Sequence, residues 1–404
     1  MKKYFTKETV TSLAFLLIIF TVSILSFVPS FGRYIRNWVK AEDKPSLKTT
    51  AHELIDLTKD CVEKDIAFQP QFIRIYSQAQ KQMNTRLYED AEYGWIIRDN
   101  NNKLHFPLTA QSTTWHAKQT VALQSYLENK NIPMLYIVAP CKYIEGVTKL
   151  PYGIRFYNDQ NTDEFLAVLK EAGVDSLDLR QSLQNSGLDL ADCHFKTDHH
   201  WKHQTAFFAY KTSVDFIRER YQINLDPDAF YTDLNNYYTL DFKNAFLGSQ
   251  GRRVGAAVVG KDDVSVILPK YDTDYRIYDG TKREEILWQG AFEDTILRRH
   301  LLSQTDEYAN MYGAYFEFDF SHLIIQNQKV KNGKHIIVLK DSFGLPFSAF
   351  LSTTTETVEM IDMRGFDHAS LCSYLAESNP DLVIVMYSNG SFSDTMYDFC
   401  VPES

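Results

Sequence analysis

Two separated segments carry the residue types of a nucleophilic catalytic site. The segment 197–201, Thr-Asp-His-His-Trp, places Asp198 and His200 two residues apart. In the segment 335–344 a short apolar run leads into Asp-Ser-Phe-Gly, with Ser342 just after a predicted strand. A serine hydroxyl becomes a good nucleophile when a histidine accepts its proton and an aspartate fixes the histidine tautomer. These residues therefore predict a Ser–His–Asp triad, a constellation that occurs in several chain orders.

The same histidine-rich segment also suggests a metal site. Neutral imidazole rings and a carboxylate suit Zn²⁺, and five such side chains lie within ten residues: His194, Asp198, His199, His200 and His203. Their spacing matches none of the standard zinc signatures, so we predict no metal and leave the function of His199 open. Trp201 is expected to pack in the core, with substrate contact as the alternative.

Composition excludes several classes of protein. The chain has 404 residues, of which 44% are hydrophobic, enough for a sizeable core. A net charge of -10 without a long basic run argues against a nucleic-acid partner. The five cysteines show no CxxC spacing, so neither a zinc ribbon nor a disulfide scaffold is expected. No motif indicates a cofactor: the glycine-rich segment 246–255 lacks the Walker lysine pattern, and we predict a hairpin with a basic tip there.

The N-terminal region predicts a membrane anchor. Residues 10–28 form a 19-residue stretch without a charge, long enough to span a bilayer as a helix. This stretch exceeds a usual signal-peptide core and 29–32 is a poor cleavage site, so an uncleaved anchor is favoured over a cleaved signal peptide. The short N-terminal tail favours a single pass through the cell membrane, with the globular part on the outer, extracytoplasmic side.

The remaining chain predicts one α/β domain. We divide the protein into a cytoplasmic tail and anchor over 1–32, a membrane-proximal helical stalk over 33–85, and a globular domain over 86–404. Strand-like and helical runs alternate in this domain, which predicts a mainly parallel sheet: 93–98, 113–130, 132–140, 161–172, 174–179, 204–220, 335–339, 345–351, 357–363, 368–377 and 381–387. Residues 221–330 are rich in Tyr, Asp and Asn and are predicted to be a β-rich insertion.

The order of these motifs resembles a known superfamily. Asp-His-His-Trp at 198–201 is the signature of the bacterial DHHW family and is similar to the motif of the AlgJ/AlgX-type alginate O-acetyltransferases, within the SGNH hydrolase-like superfamily. Three more segments agree in order: Tyr-Gly-Trp-Ile at 93–96, Val-Ala-Pro-Cys-Lys at 138–142 and Lys-Asp-Ser-Phe-Gly at 340–344. The resemblance covers about residues 90–210 and 333–390.

This resemblance implies an SGNH hydrolase-like three-layer α/β sandwich and a role for each triad residue. Ser342 would be the nucleophile that forms an acetyl-serine, His200 the general base and Asp198 its orienting acid. Related folds complete an oxyanion hole with a glycine and an asparagine, for which Gly365 and Asn389 are the candidates, although the usual Gly-x-Asn-Asp sequence is absent. Candidates for substrate contact are Arg252, Arg253, Arg364 and Trp201.

Together these features predict a membrane-anchored O-acetyltransferase or esterase that acts on a cell-surface or secreted polysaccharide. A membrane acyl-transfer partner is expected to supply the acetyl group. Two other interpretations stay open at this point. One is a non-catalytic surface scaffold or glycan-binding protein of a cell-envelope assembly. The other is a metal-dependent hydrolase.

Overall fold

The chain separates into two compact units, residues 1–83 and 84–404. The computed structural model describes residues 6–40, 53, 55, 67–282, 285–302, 306 and 308–402. Residues 41–52, 54 and 56–66 of the predicted stalk over 33–85 therefore lie outside the described residues.

The first unit contains a long N-terminal helix, α1 (Lys7–Lys40), and a second helix, α2 (Gln69–Gln82). Helix α1 includes the whole apolar stretch 10–28, and its side chains are largely exposed. By length and composition α1 is able to cross a bilayer. The predicted apolar helix is thus present, while its insertion in a membrane and its orientation stay predictions.

The second unit alternates strands and helices. Its elements, in chain order, are β1 (Leu87–Asp90), β2 (Gly94–Arg98), β3 (Leu104–His105), α3 (Thr114–Glu128), β4 (Met134–Ala139), α4 (Asn158–Glu171), β5 (Ser176–Asp178), α5 (Leu179–Gln184), α6 (His203–Tyr221), β6 (Tyr237–Phe246), α7 (Ser249–Val254), α8 (Ala256–Val259), β7 (Asp262–Pro269), β8 (Tyr275–Asp279), β9 (Ile286–Gly290), α9 (Phe292–Thr295), β10 (His322–Asn327), β11 (His335–Lys340), α10 (Gly344–Leu351), β12 (Thr357–Ile361), α11 (Leu371–Ser378), β13 (Leu382–Ser388) and α12 (Asp394–Tyr397).

An eight-stranded sheet forms the centre of this unit, in the order β5-β4-β13-β11-β12-β10-β8-β9. The first five strands of this order pair in parallel. The last three continue the sheet by antiparallel pairing. The α/β prediction is confirmed; the sheet is mixed, with four parallel and three antiparallel pairings.

Strand β11 shows how the sheet is buried on both faces. Ile336 and Val338 belong to a core cluster on one face, whereas Ile337 and Leu339 belong to the cluster on the other. Because side chains alternate along a strand, a run that is apolar at every position needs helices on both sides. One face is covered by α6 and α10, and the other by α3, α4 and α11. The result is the predicted three-layer arrangement.

The segment 221–330 contributes to the centre of the fold. Its strands β8, β9 and β10 extend the central sheet, and β6 pairs with β7 in a separate two-stranded sheet. The prediction of a basic hairpin tip over 246–255 is wrong, because β6 ends at Phe246 and residues 249–254 form helix α7. The glycine-rich turn leads from a strand into a helix.

Candidate active site

Asp198, His200 and Ser342 form a continuous chain of hydrogen-bonded side chains. Asp198 Oδ1 lies 2.6 Å from His200 Nδ1, and His200 Nε2 lies 2.7 Å from Ser342 Oγ. Asp198 and His200 are both buried. The structure thus brings together the three side chains that were predicted from two distant segments, in the geometry that an activated serine requires. Their catalytic role stays a prediction.

The loop that carries Asp198 and His200 is closed by backbone bonds at its base. His194 and Trp201 form an antiparallel bridge, and the Phe195 N–H donates to the His200 carbonyl at 3.2 Å. Asp198 Oδ1 also accepts the backbone N–H of His200 at 3.1 Å. An aspartate that bonds the backbone two residues on stabilises a turn. The two-residue spacing therefore serves both the turn and the contact between the two side chains.

The glycine-rich turn after β6 holds the other side of Asp198. The Ser249 N–H donates to Asp198 Oδ2 at 2.7 Å. Burial raises the pKa of Asp198, but His200, His199 and the Ser249 N–H outweigh burial and hold the pKa well below its usual value. The carboxylate is therefore ionised at neutral pH and accepts the Nδ1–H of His200.

Gly248 lets this turn approach Asp198 closely. A Cβ atom at position 248 would lie 2.2 Å from Asp198 Cβ and 2.7 Å from Asp198 Oδ2. A real side chain cannot occupy this space, so an alanine would displace the loop of the triad. The backbone of Gly248 is extended, with φ at -71°, which any residue can adopt. The position therefore requires glycine because of the close contact with Asp198 and not because of its backbone angles.

We expect Gly248→Ala to lower the free energy of unfolding by about 1–3 kcal/mol, the usual cost of overpacking a filled site. Urea denaturation measures this change. Ser249→Ala is the matched control, because it removes a hydroxyl from the same turn but keeps the N–H that binds Asp198. The control should differ from the wild type by about 1 kcal/mol or less. A Gly248→Ala protein as stable as the wild type would contradict the close packing.

Tyr312 is a site residue that sequence reasoning missed. Its ring stacks on His200 with a centroid distance of 3.7 Å and an interplanar angle of 8°. Its hydroxyl donates to the Ser342 carbonyl at 2.7 Å. Burial raises the pKa of Tyr312 well above its usual value, so the hydroxyl stays a donor. Tyr312 thus fixes both the histidine ring and the backbone of the serine, but no local pattern around it indicates this.

The turn that carries Ser342 is tied to the neighbouring strand by Asp341. Asp341 Oδ1 accepts the Phe343 N–H at 2.9 Å, and Oδ2 accepts the Ser388 N–H at 2.8 Å. Within the described residues no hydrogen bond uses the Ser342 N–H, which precedes the start of α10. An unused N–H beside the nucleophile is suited to stabilise an oxyanion.

Asn389 and Gly365, the two residues predicted to complete an oxyanion hole, contact residues outside the triad. Asn389 Oδ1 accepts the Cys141 N–H at 2.6 Å, and its Nδ2 donates to Asp159 at 2.9 Å. A Cβ on Gly365 would lie nearest to Ser321, at 3.2 Å. In the described part of the chain neither residue is hydrogen bonded to the triad. The oxyanion role of both therefore stays a prediction.

Arg364 belongs to an ion-pair network under the serine turn. Its guanidinium pairs with Asp319 at 2.9 Å and also with Asp362. Both carboxylates pair as well with Lys340, the fully buried last residue of β11. These ion pairs give the guanidinium of Arg364 a structural role. A contact of Arg364 with substrate stays a prediction.

Arg252 and Trp201 differ in what they offer a substrate. Arg252 Nε donates to the Leu247 carbonyl at 2.9 Å within the glycine-rich turn, and a substrate contact by Arg252 stays a prediction. Trp201 has no exposed surface and packs 5.3 Å from the ring of Phe343. Trp201 thus packs in the core, as was expected first, and a substrate contact by Trp201, the alternative, stays a prediction.

The five side chains of the metal interpretation do not converge. Ligand atoms of Asp198, His199 and His200 lie within 4.8 Å of one another, whereas His194 and His203 are outside this group. Both ring nitrogens of His200 already contact Asp198 and Ser342. His194 Nε2 faces the backbone carbonyl oxygen of Pro140, and the two ring nitrogens of His203 face those of Ser265 and Tyr312. His199 Nδ1 lies 3.0 Å from the Ser249 hydroxyl.

Lys142, in the loop after β4, is hydrogen bonded to the backbone of the triad loop. Its Nζ donates to the Asp198 carbonyl and to Gln250 Oε1, both at 2.6 Å, and to the Lys196 carbonyl at 3.3 Å. These bonds use all three hydrogens of an ammonium group. Burial lowers the pKa of Lys142 to about 7. Through its three hydrogen bonds Lys142 links the loop after β4 to the triad loop and to helix α7.

Comparisons with known proteins agree with this fold. Residues 91–244 match a family model described as the SGNH hydrolase-like domain of acetyltransferase AlgX. A search of curated proteins found no match. The structure of PatB1 from Bacillus cereus with a sulfonyl adduct is 21% identical, with a TM-score of 0.62, over 77% of this chain and 98% of that one.

Two further structures belong to families named above. A DHHW family protein from Eubacterium siraeum is 17% identical, with a TM-score of 0.58, over 78% of this chain and 98% of that one. The O-acetyltransferase domain of Pseudomonas putida AlgJ is more distant, with 12% identity and a TM-score of 0.44 over 74% of this chain and 91% of that one. The resemblance to the DHHW family and to AlgJ/AlgX-type proteins is confirmed: residues 91–244 match the AlgX-type SGNH hydrolase-like domain, and the chain has an SGNH-like α/β fold.

Proposed function

We propose that this protein is an SGNH-like serine O-acetyltransferase or esterase that acts on a polysaccharide through an acyl-serine intermediate. The observation that carries the proposal is the 2.7 Å contact of Ser342 Oγ with His200 Nε2, whose other ring nitrogen contacts Asp198. A non-catalytic scaffold has no need of this arrangement, and a metal-dependent hydrolase would need His200 as a ligand. The geometry therefore favours the serine enzyme over both.

In the first half-reaction Ser342 takes the acyl group from the donor. Ser342 Oγ attacks the donor carbonyl carbon while His200 Nε2 accepts the hydroxyl proton. Asp198 stabilises the resulting imidazolium through Nδ1–H. The Ser342 N–H is positioned to bind the developing oxyanion. The intermediate collapses as the donor oxygen leaves with the proton from His200, which leaves an acyl-serine.

In the second half-reaction an acceptor removes the acyl group from the serine. A sugar hydroxyl attacks the acyl-serine carbonyl as His200 accepts its proton, and the proton then returns to Ser342 Oγ. Water in place of the sugar gives net ester hydrolysis. Transfer and hydrolysis thus use the same three residues, and the choice between them depends on what excludes water and positions the acceptor.

The comparisons support this proposal at the level of class. The family model that matches residues 91–244 is that of an acetyltransferase, and the AlgJ structure is described as an O-acetyltransferase domain. PatB1 has been solved with a sulfonyl adduct. We extend acetyl transfer to this chain because its own serine, histidine and aspartate have the contacts that such chemistry requires.

We further propose that α1 anchors the enzyme in the cell membrane, with the second unit on the extracytoplasmic side. The apolar stretch 10–28 supports this location. With this location, a membrane acyl-transfer partner would deliver the acetyl group to Ser342.

The experiment that tests the function is to trap the acyl-enzyme. The full chain is purified in a mild detergent, mixed with 4-nitrophenyl acetate and quenched in acid, and its peptides are mapped by mass spectrometry. We expect a burst of nitrophenol, an acetyl group on Ser342, and loss of that group when a polysaccharide acceptor is added before the quench. A stable acetyl group on another residue, or none at all, would contradict the mechanism.

A further inference from the structure

A cavity of about 360 Å³ opens beside the triad. Its lining includes His199 and Phe343, the sequence neighbours of His200 and Ser342. Ser388 and Ser391, which bond Asp341, form another part of the wall. The cavity is therefore next to the nucleophile and is a natural position for the group that accepts the acyl chain.

Aromatic rings dominate one wall of this cavity. Tyr93 and Phe106 are stacked with a centroid distance of 3.8 Å and an interplanar angle of 19°. Phe106 in turn lies 6.0 Å from the ring of His199, which lies 3.7 Å from His200. The wall thus extends from Tyr93, which is 42% exposed to solvent, to His200, the proposed general base.

Among the described residues, the lining offers no free charge to a ligand. In that part of the chain it contains no carboxylate, and Lys142 is its one lysine or arginine. All three hydrogens of Lys142 Nζ are bonded to protein oxygens. Burial lowers the pKa of His105 to about 4, so this histidine is neutral.

Arg253, an arginine beside the aromatic wall, is ion-paired with carboxylates of the protein. Arg253 lies over the Tyr93 ring, 5.0 Å from its centroid. Its guanidinium pairs with Asp90 at 3.0 Å and with Glu92. A ligand carboxylate in the cavity would therefore lose water without gaining a free cation, which is costly.

We propose that this cavity is the acceptor subsite and that it takes an uncharged sugar ring rather than a uronic acid. A pyranose ring has an apolar C–H face, which suits the negative face of an aromatic ring. The Tyr93–Phe106 pair supplies that face, and the hydroxyls of Ser388 and Ser391 supply hydrogen bonds at the edge of the ring. This inference rests on the proposed function and specifies its substrate class.

Acceptor competition tests the charge preference. The full chain is given 4-nitrophenyl acetate as donor with cellohexaose, chitohexaose or hexagalacturonate as acceptor, and acetylated products are measured by mass spectrometry. We expect kcat/KM for the better neutral acceptor to exceed that for hexagalacturonate at least about tenfold. Equal or better transfer to hexagalacturonate, or no transfer to either neutral acceptor, overturns the inference.

Substitution of Tyr93 tests the aromatic wall. Tyr93→Ala should raise KM for the better neutral acceptor about tenfold, with a smaller effect on kcat, whereas Tyr93→Phe should keep a KM near that of the wild type. Tyr152→Ala is the matched control, because Tyr152 is fully exposed and outside the cavity. An unchanged KM in Tyr93→Ala overturns the subsite. This outcome is distinct from failure of the proposed function, in which the wild type would form no acetyl-Ser342.

Discussion

Replacement of Ser342 by alanine is expected to reduce kcat for 4-nitrophenyl acetate about 10⁴–10⁶-fold, the range seen when a serine nucleophile is removed. The physical reason is that no other hydroxyl in the described residues is hydrogen bonded to His200 Nε2. Without Ser342 the base has no nucleophile to activate, and only binding and oxyanion stabilisation remain. Initial rates over a range of ester concentrations measure kcat.

The matched control for this substitution is Ser391→Ala. Ser391 lies in the same cavity and its hydroxyl donates to Asp341 at 3.1 Å, but it does not contact His200. The control should retain kcat within about tenfold, since it removes one hydrogen bond to a buried carboxylate. Equal turnover by the wild type and Ser342→Ala would eliminate Ser342 as the nucleophile.

Asp198→Asn is expected to lower kcat about 10³–10⁴-fold, because the histidine would take the wrong tautomer. In the wild type Asp198 accepts hydrogen bonds from the His200 ring and from the Ser249 N–H. An asparagine has one acceptor oxygen, and the Ser249 N–H is always a donor, whereas an imidazole nitrogen can become an acceptor. The asparagine oxygen would therefore face Ser249 and its NH₂ group would face His200 Nδ1, so that His200 would keep its proton on Nε2 and could not accept that of Ser342. Pre-steady-state rates of nitrophenol release would show a slowed acylation step.

The pH dependence of stability follows from the same carboxylate. The folded-state pKa of Asp198 is well below its usual value of 3.8, so the stabilisation is present in full above about pH 3.8. It is lost as the pH falls through the folded-state pKa. The difference in unfolding free energy between wild type and Asp198→Asn should therefore be constant near neutral pH and shrink below about pH 4. A difference that grows on acidification would contradict the ionised state of Asp198.

Much of the fold could be predicted from local patterns. Strand β4 is buried at every position, β11 has an unbroken apolar run over 336–339 before the polar Lys340, and helices such as α6 have clear periodicity. These signals are short-range, which is why the predicted bounds differ from the observed ones by a few residues. The antiparallel half of the sheet could not be predicted, because pairing between β10 and β12 depends on contacts that no local pattern encodes.

The site was predictable to the extent that its residues share a loop or a motif. Asp198 and His200 lie two residues apart, and Ser342 stands in a recognisable Asp-Ser-Phe turn. The residues that hold the triad in place, such as Gly248 and Tyr312, could not be predicted in this way. Gly248 is glycine because of a contact with a residue 50 positions away, and the local pattern of its glycine-rich turn predicts a hairpin where the structure has a turn into α7. Tyr312 lies in an irregular segment without any signal.

The stacked pair of Tyr93 and Phe106 separates the chemistry of this protein from its selectivity. Tyr93 lies in the turn between β1 and β2, and Phe106 directly follows β3, whereas the reacting groups come from the loop before α6 and the turn after β11. On the proposed function, mutations that reshape the early segment would redirect the protein to other glycans without changing the residues of the proposed proton transfer. Divergence within such a family, and directed evolution in the laboratory, should concentrate in those first strands.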